Sequence, residues 1–393
     1  MFVYADNAAT TPVSDAVFNA MLPWLHDRYG NPSAIYSVGR EAKAAVEDAR
    51  AKVASLISAR PEEIVFTAGG SESDNYALKG TAYAGRKKGR HIISTKIEHH
   101  AMLHTLKWLE KQGFEVTLLD VDSDGLVSPD DVKRAVRDNT ILISVMAANN
   151  EIGTIEPIAE IGEIAAAHKI PFHTDAVQAY GHIPLNVREM NLSTLSLSAH
   201  KLRGPKGIGA LYIKNGTHID TFLHGGGQER GRRGGTENVA GIVGLGEAAY
   251  QCSLHIAEDA KRVTALRDRL IAGILPIPYS RLTGHPTRRL PGNASFCIEG
   301  IEGEAIVLTL DSLGVMASSG SACSSGSLDP SHVLMAIGLP HVVAHGSVRL
   351  SLGPQNTDAE VDYLISAVHK TAEDLRAKSP VWENNAPMWA KFE

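Results

Sequence analysis

The sequence predicts an α/β chain: a large domain on a mostly parallel, doubly wound sheet of seven strands, followed by a smaller α+β unit. Three observations carry this prediction. Seven short apolar runs, at 64–67, 91–95, 115–119, 140–146, 170–174, 195–198 and 209–213, recur with helical patterns between several of them. Most are apolar throughout rather than alternating, as strands covered on both faces of a parallel sheet are. Past residue 280 a second unit has its own strand runs, at 294–298 and 348–352, and its own helices.

The elements follow in order. Residues 40–57 place Ala42, Ala45, Val46, Ala49, Val53, Leu56 and Ile57 at helical spacing, which predicts an amphipathic helix. The seven strand runs come next. From about Val239 to Ile274 the pattern is helical for an unusual length, and Pro276 and Pro278 stop it. The polar, proline-bearing stretch 280–292 reads as a loop. No internal repeat or low-complexity tract interrupts the chain.

Composition narrows the function classes. At 393 residues there is ample length for a large core. Hydrophobic content of 44%, charged content of 21% and a net charge of −6 describe an ordinary globular protein. That mildly acidic balance argues against nucleic acid or anionic membrane as a partner. No apolar run approaches the ~20 residues that span a bilayer. The opening Met1-Phe2-Val3-Tyr4-Ala5-Asp6 lacks the basic start of a secretion signal. Cys252, Cys297 and Cys323 are far apart, which argues against disulfides and an all-protein zinc site and fits a reducing cytoplasm. A cysteine that matters here acts singly, as a nucleophile.

Ligands of open α/β sheets gather at the carboxyl ends of strands. After 64–67 come Gly69, Gly70 and Ser71, suited to an anion at a helix N-terminus. After 91–95 come Glu98, His99 and His100; after 140–146, Asn149, Asn150 and Glu151; after 170–174, Asp175 and Gln178. After 195–198 come His200 and Lys201, with a glycine-rich turn beyond. Each feature alone also fits a cap, a turn or a satisfied core polar group. Together they match the needs of pyridoxal 5′-phosphate (PLP). Lys201 would form a Schiff base with the aldehyde, Asp175 would keep the ring nitrogen protonated, and His99 would stack on the ring. Asn150 and Gln178 would reach the phenolic oxygen, and Gly70, Ser71, Ser198 and His200 the phosphate. Farther on, 222–236 is a glycine- and arginine-rich loop suited to anion contact or a subunit interface, or simply solvated. Cys323 stands among small residues, unlike a buried structural cysteine, whereas Cys297 reads as core and Cys252 as core or helix flank. Arg349, a lone cation in an apolar strand, wants a carboxylate.

These residues resemble the cysteine desulfurases of the NifS/IscS type, in the aspartate aminotransferase-like fold-type I PLP superfamily. The resemblance runs nearly end to end, through Tyr4–Pro12, Gly30-Asn31-Pro32-Ser33, Glu98-His99, Asn149–Gly153, Asp175–Gln178, the His200-Lys201 segment, His224–Arg230, the Cys323 loop and Arg349. It implies Lys201 as the Schiff-base lysine, with Lys206 a non-catalytic companion, and His99 as a proton-transferring stacker. It implies Cys323 as the persulfide-forming nucleophile, able to ligate an iron–sulfur cluster transiently, with no stable metal site. Arg349 would hold the substrate carboxylate, with Asn7 bordering the substrate. Thr236 would reach the phosphate of the neighbouring subunit, which implies a homodimer. A large PLP-binding domain over 16–255 and a small one formed by 1–15 and 256–393 follow. Departures from the pattern, Ser71, Tyr36 and Ala147, remove no named group. The implied reaction converts L-cysteine to L-alanine and passes sulfur through Cys323 to an acceptor protein such as an iron–sulfur scaffold. A selenocysteine lyase or related PLP lyase of the same fold, and a sulfur-relay subunit active only with a partner, stay open.

Overall fold

The computed structural model describes residues 1–320, 330–379 and 382. Its strands in chain order are β1 (Val3–Tyr4), β2 (Ile64–Thr67), β3 (His91–Thr95), β4 (Glu115–Leu119), β5 (Thr140–Ser144) and β6 (Phe172–Asp175). They continue with β7 (Thr194–Ser198), β8 (Gly209–Ile213), β9 (Ser280–Leu282), β10 (Asn293–Ile298), β11 (Val315–Met316) and β12 (Ser347–Ser351). Seven of them form one sheet in the order β2-β8-β7-β6-β5-β3-β4. The pairs from β7 across to β4 are parallel, and only β8 runs against its neighbours. β2 is therefore parallel to β7, and six strands end at the same edge of the sheet.

The apolar runs form this sheet because helices cover both faces. β3 and β5 through β8 are buried at every position, whereas the edge strand β4 is half-exposed and has a polar start. The helix predicted over 40–57 spans Ser37–Ser55; it buries Ala42, and it packs Val46, Ala49 and Val53 into the large core. The long helix is Val239–Ile274, as its pattern predicts. Its 36 residues reach about 54 Å at 1.5 Å per residue. The N-terminal half packs into the core of the seven-stranded sheet, and Val263, Leu266, Leu270 and Ile274 into a second core.

That second core also takes Val3 and Ala5 from the N-terminus and the face of a three-stranded antiparallel sheet, β12-β10-β9. β1 pairs in parallel with β11, Val3 opposite Val315, which returns the chain start to the late segments. The loop expected over 280–292 needs one correction. Its first three residues form β9, pairing with Phe296–Ile298 of β10. A half-buried three-residue edge strand carries too little apolar signal to show in the sequence.

Candidate active site

Lys201 ends a single 3-10 turn, Ala199–Lys201, at the close of β7. The N-terminal segment clamps that turn: Thr11 donates to the His200 carbonyl from both its amide and its hydroxyl, at 2.9 Å each. The amine Nζ points back along the same segment and donates to the carbonyls of Ala8 at 2.7 Å and Ala9 at 2.6 Å. Gln178 Nε2 also donates to the Ala8 carbonyl, at 2.9 Å. Lys206 is exposed and lies away from this cavity.

The cavity that Lys201 enters measures about 360 Å³. Gly70, Ser71, His99, Asn150, Asp175, Gln178, Ser198, His200 and Arg349 line it together with the lysine. Residues between Gly70 and Lys201 thus share one wall because strand after strand delivers its carboxyl end to the same edge.

Asp175 closes β6 and is buried, its Oδ1 accepting from the Val177 amide at 2.9 Å. Burial pushes its carboxyl up to about 7, and the neighbouring Asp74 adds to the rise while His99 opposes it. A buried carboxyl of this kind gains most from a cation placed against it. His99 caps the helix His100–Lys111, its Nδ1 accepting from the Ala101 amide at 3.2 Å. Because Nδ1 accepts, the proton of the neutral ring sits on Nε2. Burial lowers the His99 pKa, against an upward pull from Asp175.

At the other end the 16-residue helix Gly70–Gly85 points its N-terminus at the cavity. Gly69 has φ +148°, and a Cβ on Gly70 would lie 2.6 Å from Val177 Cγ2. Side chains are thereby kept off a row of first-turn amides that favour an anion. Ser198 is buried beside them, and burial, with Lys201 and Lys206 adding to it, pushes His200 down to about 4. The wall therefore offers an anion cradle at one end, a carboxyl wanting a cation at the other, and an amine and a neutral imidazole in the same space. These groups fit PLP.

The remaining wall comes from the three-stranded sheet. Arg349 of β12 is buried and donates from Nη2 to Asp6 Oδ1 and from Nη1 to the Asn150 carbonyl, both at 2.9 Å. Its Nε has no hydrogen-bond partner. Asp6 also accepts from the Ser318 hydroxyl at 2.8 Å. Glu151 accepts from the Ser331 hydroxyl, and burial pushes its carboxyl up to about 7.

Three expected residues stand apart. Asn7 is absent from this wall: it donates to the Ser351 carbonyl at 2.8 Å, accepts from Gln355 at 2.6 Å, and lines a neighbouring cavity of about 350 Å³. Thr236 is exposed and outside the wall. Its loop is tied down by Arg233, which pairs with Glu72 in the first turn of the helix Gly70–Gly85. Cys323 lies outside the described residues. The other two thiols are unsuited to attack at neutral pH, since burial pushes both Cys252 and Cys297 up to about 12. Asp6, Asp74 and Glu151 line or brace the site with no role assigned in the sequence reading. Glu98–His99 and Asn149–Glu151 showed that acids sit at strand ends, but not which arginine, imidazole or hydroxyl they would meet.

Comparison with known proteins agrees with this geometry. Residues 3–364 match the family model described as Aminotransferase class-V. The chain is 56% identical over 379 residues to a cysteine desulfurase IscS of Methanosarcina thermophila, covering 96% of this chain and 94% of that one. A solved structure of a NifS-like protein superposes with a TM-score of 0.90 at 38% identity, covering 95% of this chain and all of that one. A structure described as SspA in complex with cysteine gives a TM-score of 0.80 at 39% identity, over 90% of this chain and all of that one. With the fold, the cavity and nearly the whole length in agreement, the chain belongs to the cysteine desulfurases of the aminotransferase class-V family.

Proposed function

We propose that this chain converts L-cysteine to L-alanine with bound PLP and hands the sulfur to Cys323 as a persulfide. The observation that carries this reading is the sharing of one cavity by the Lys201 amine, the Asp175 carboxyl, the His99 imidazole and the Arg349 guanidinium. When bound, PLP supplies an aldehyde for an amine and a protonated ring that draws electron density from the substrate α-carbon. Asp175 holds the proton on the ring nitrogen. The helix N-terminus at Gly70, with Ser71, Ser198 and His200, holds the phosphate, while Asn150 and Gln178 face the ring oxygen. Lys201 Nζ holds the aldehyde at rest and moves the α-proton during turnover. Arg349 binds the substrate carboxylate and so orients the thiol, with Asn7 bordering that end. His99 relays a proton from Nε2. The Cys323 thiolate attacks the substrate sulfur: an S–S bond forms as the C–S bond breaks, and the carbon skeleton leaves as alanine after taking up protons.

Several finer readings belong with this function. The division into residues 16–255 and a small domain of 1–15 with 256–393 is supported by the two cores that the long helix joins. A homodimer is supported by the exposed apolar row Phe18, Leu22 and Leu25 on the helix Asp15–Leu25, with exposed Tyr29 and Ile35 beyond it. In such a dimer, exposed Thr236 would reach the partner's phosphate. The sulfur acceptor is a protein, an iron–sulfur scaffold first among candidates, and the reaction is placed in the cytoplasm. No helix among the described residues is long and apolar enough to cross a membrane.

The test is reduction of the PLP-loaded protein with borohydride followed by peptide mapping, alongside alanine release from L-cysteine. Label on Lys201, and loss of alanine and sulfide release but not of bound PLP in Cys323→Ala, is expected. Label on Lys206, or full turnover by Cys323→Ala, would refute the residue roles.

A further inference from the structure

Beneath the cofactor cavity lies a polar couple that the reaction outlined above does not use. Asp74, on the helix Gly70–Gly85, is 1% exposed yet lines the cavity beside Asp175. Its Oδ1 has no hydrogen-bond partner and stands 3.7 Å from Nε2 of His173, which has none either. His173 is fully buried in β6, and its Nδ1 lies 2.9 Å from the Thr194 hydroxyl. Residues 173 and 175 lie two apart on one strand and so face the same side. Two orphaned buried polar atoms that face each other this closely are complementary when one holds a hydrogen and the other a lone pair.

The choice of which atom holds the hydrogen follows from the surroundings. Burial pushes Asp74 up to about 7 and His173 down to about 4, so both groups favour their neutral forms. Asp175 on β6 acts on both, and it is in turn faced by His99 and Glu98 on the turn after β3, with Lys201 after β7 acting on His99. If Asp74 and Asp175 were both ionised, two neighbouring buried carboxylates would face the ring nitrogen side by side, each raising the other. One proton kept on the pair avoids this.

We propose that Asp74 is a positioning acid that keeps its proton and directs it at Nε2 of His173 across the 3.7 Å gap, which a small side-chain shift closes into a hydrogen bond, leaving Asp175 as the one carboxylate facing the ring nitrogen of PLP. His173 in turn donates from Nδ1 to Thr194. The couple rests on the PLP reading above, and the experiment separates the two.

Wild-type protein is first titrated with PLP; failure to bind would overturn the cofactor reading, and this inference with it. Given binding, Asp74→Asn still offers a neutral N–H to His173 and should bind PLP within about twofold of wild type. Asp74→Ala orphans the imidazole, which then competes for Asp175, and should bind PLP about tenfold more weakly, at the low end of the cost of an unpaired buried group. In the infrared difference between wild type and Asp74→Asn at mildly acidic pH, the carbonyl band of a protonated carboxyl is expected. That measurement needs no folded alanine variant. Equal weakening in both variants, no weakening in either, or no such band overturns the proposal while leaving the cofactor assignment intact.

Discussion

Replacing Glu229 by alanine isolates the ion pair that holds the loop bearing Thr236. Glu229 is 7% exposed and sits in the glycine- and arginine-rich loop with Arg50, on the helix Ser37–Ser55, opposite it. Arg50 donates from Nη1 to Oε2 at 2.7 Å and from Nη2 to Oε1 at 2.9 Å, and the Phe66 amide donates to Oε2 at 2.9 Å. Removing the carboxylate leaves Arg50 with the Ile64 carbonyl at 2.8 Å, Glu47 at 3.2 Å and the Phe66 ring. Breaking a buried pair from one side costs about 3–5 kcal/mol. Glu47 still offsets part of the guanidinium charge, while the Phe66 amide is orphaned at about 1–3 kcal/mol. Because these two costs overlap in one carboxylate, about 4 kcal/mol is expected for Glu229→Ala. Glu229 and Arg230 also hold left-handed backbone, φ 46° and 58°, so the loop relaxes once its anchor is gone. Equilibrium denaturation of the PLP-loaded protein measures the loss. Replacing both partners with apolar residues, Arg50→Met with Glu229→Leu, should recover most of it, because no buried charge is left unpaired. A loss below about 1 kcal/mol in the single variant would refute the claim that this pair anchors the loop.

Two further outcomes follow from the site. Burial raises Asp74, Asp175 and Glu151 to about 7 and Glu156 to about 8, so the folded chain holds protons that the unfolded chain has released. Stability of the PLP-free protein should therefore fall as pH rises from the ordinary carboxylate range through 7 to 8. The depressed histidines, His173 and His200 at about 4, act oppositely, but only below their ordinary 6.5. Melting temperature should thus drop between pH 6.5 and 8, and drop less with PLP bound; a rise over that window contradicts the buried-carboxyl argument. Asp6→Asn weakens the brace on Arg349 and should raise KM for L-cysteine about tenfold, the worth of one hydrogen bond to a charged group, while the visible spectrum of bound PLP stays unchanged. An unchanged KM would show that Arg349 needs no such brace.

The fold was readable wherever the signal was local. Doubly buried strands announce themselves as unbroken apolar runs, and five of the six strands that share one edge ended in a polar cluster that the structure brings into a single cavity. The long helix Val239–Ile274 was readable in its approximate extent because its apolar period persists until two prolines stop it. β9 was missed because its three half-buried residues have no face to alternate. Arg50 was hidden because a charged residue on an otherwise amphipathic helix reads as solvent-facing until Glu229 is known to stand over it.

Chemical types and their order along the chain were enough to single out Lys201, Asp175 and the Gly69–Ser71 turn, which line or border one cavity, since each comes with its own strand end. Only folding could pair Arg349 with Asp6, 343 residues away, or set Asp74 against His173 with neither atom otherwise satisfied. A strand end is a local property of sequence. Which buried charge faces which partner depends on contacts between distant segments, and in a low-dielectric interior those contacts decide which group keeps its proton.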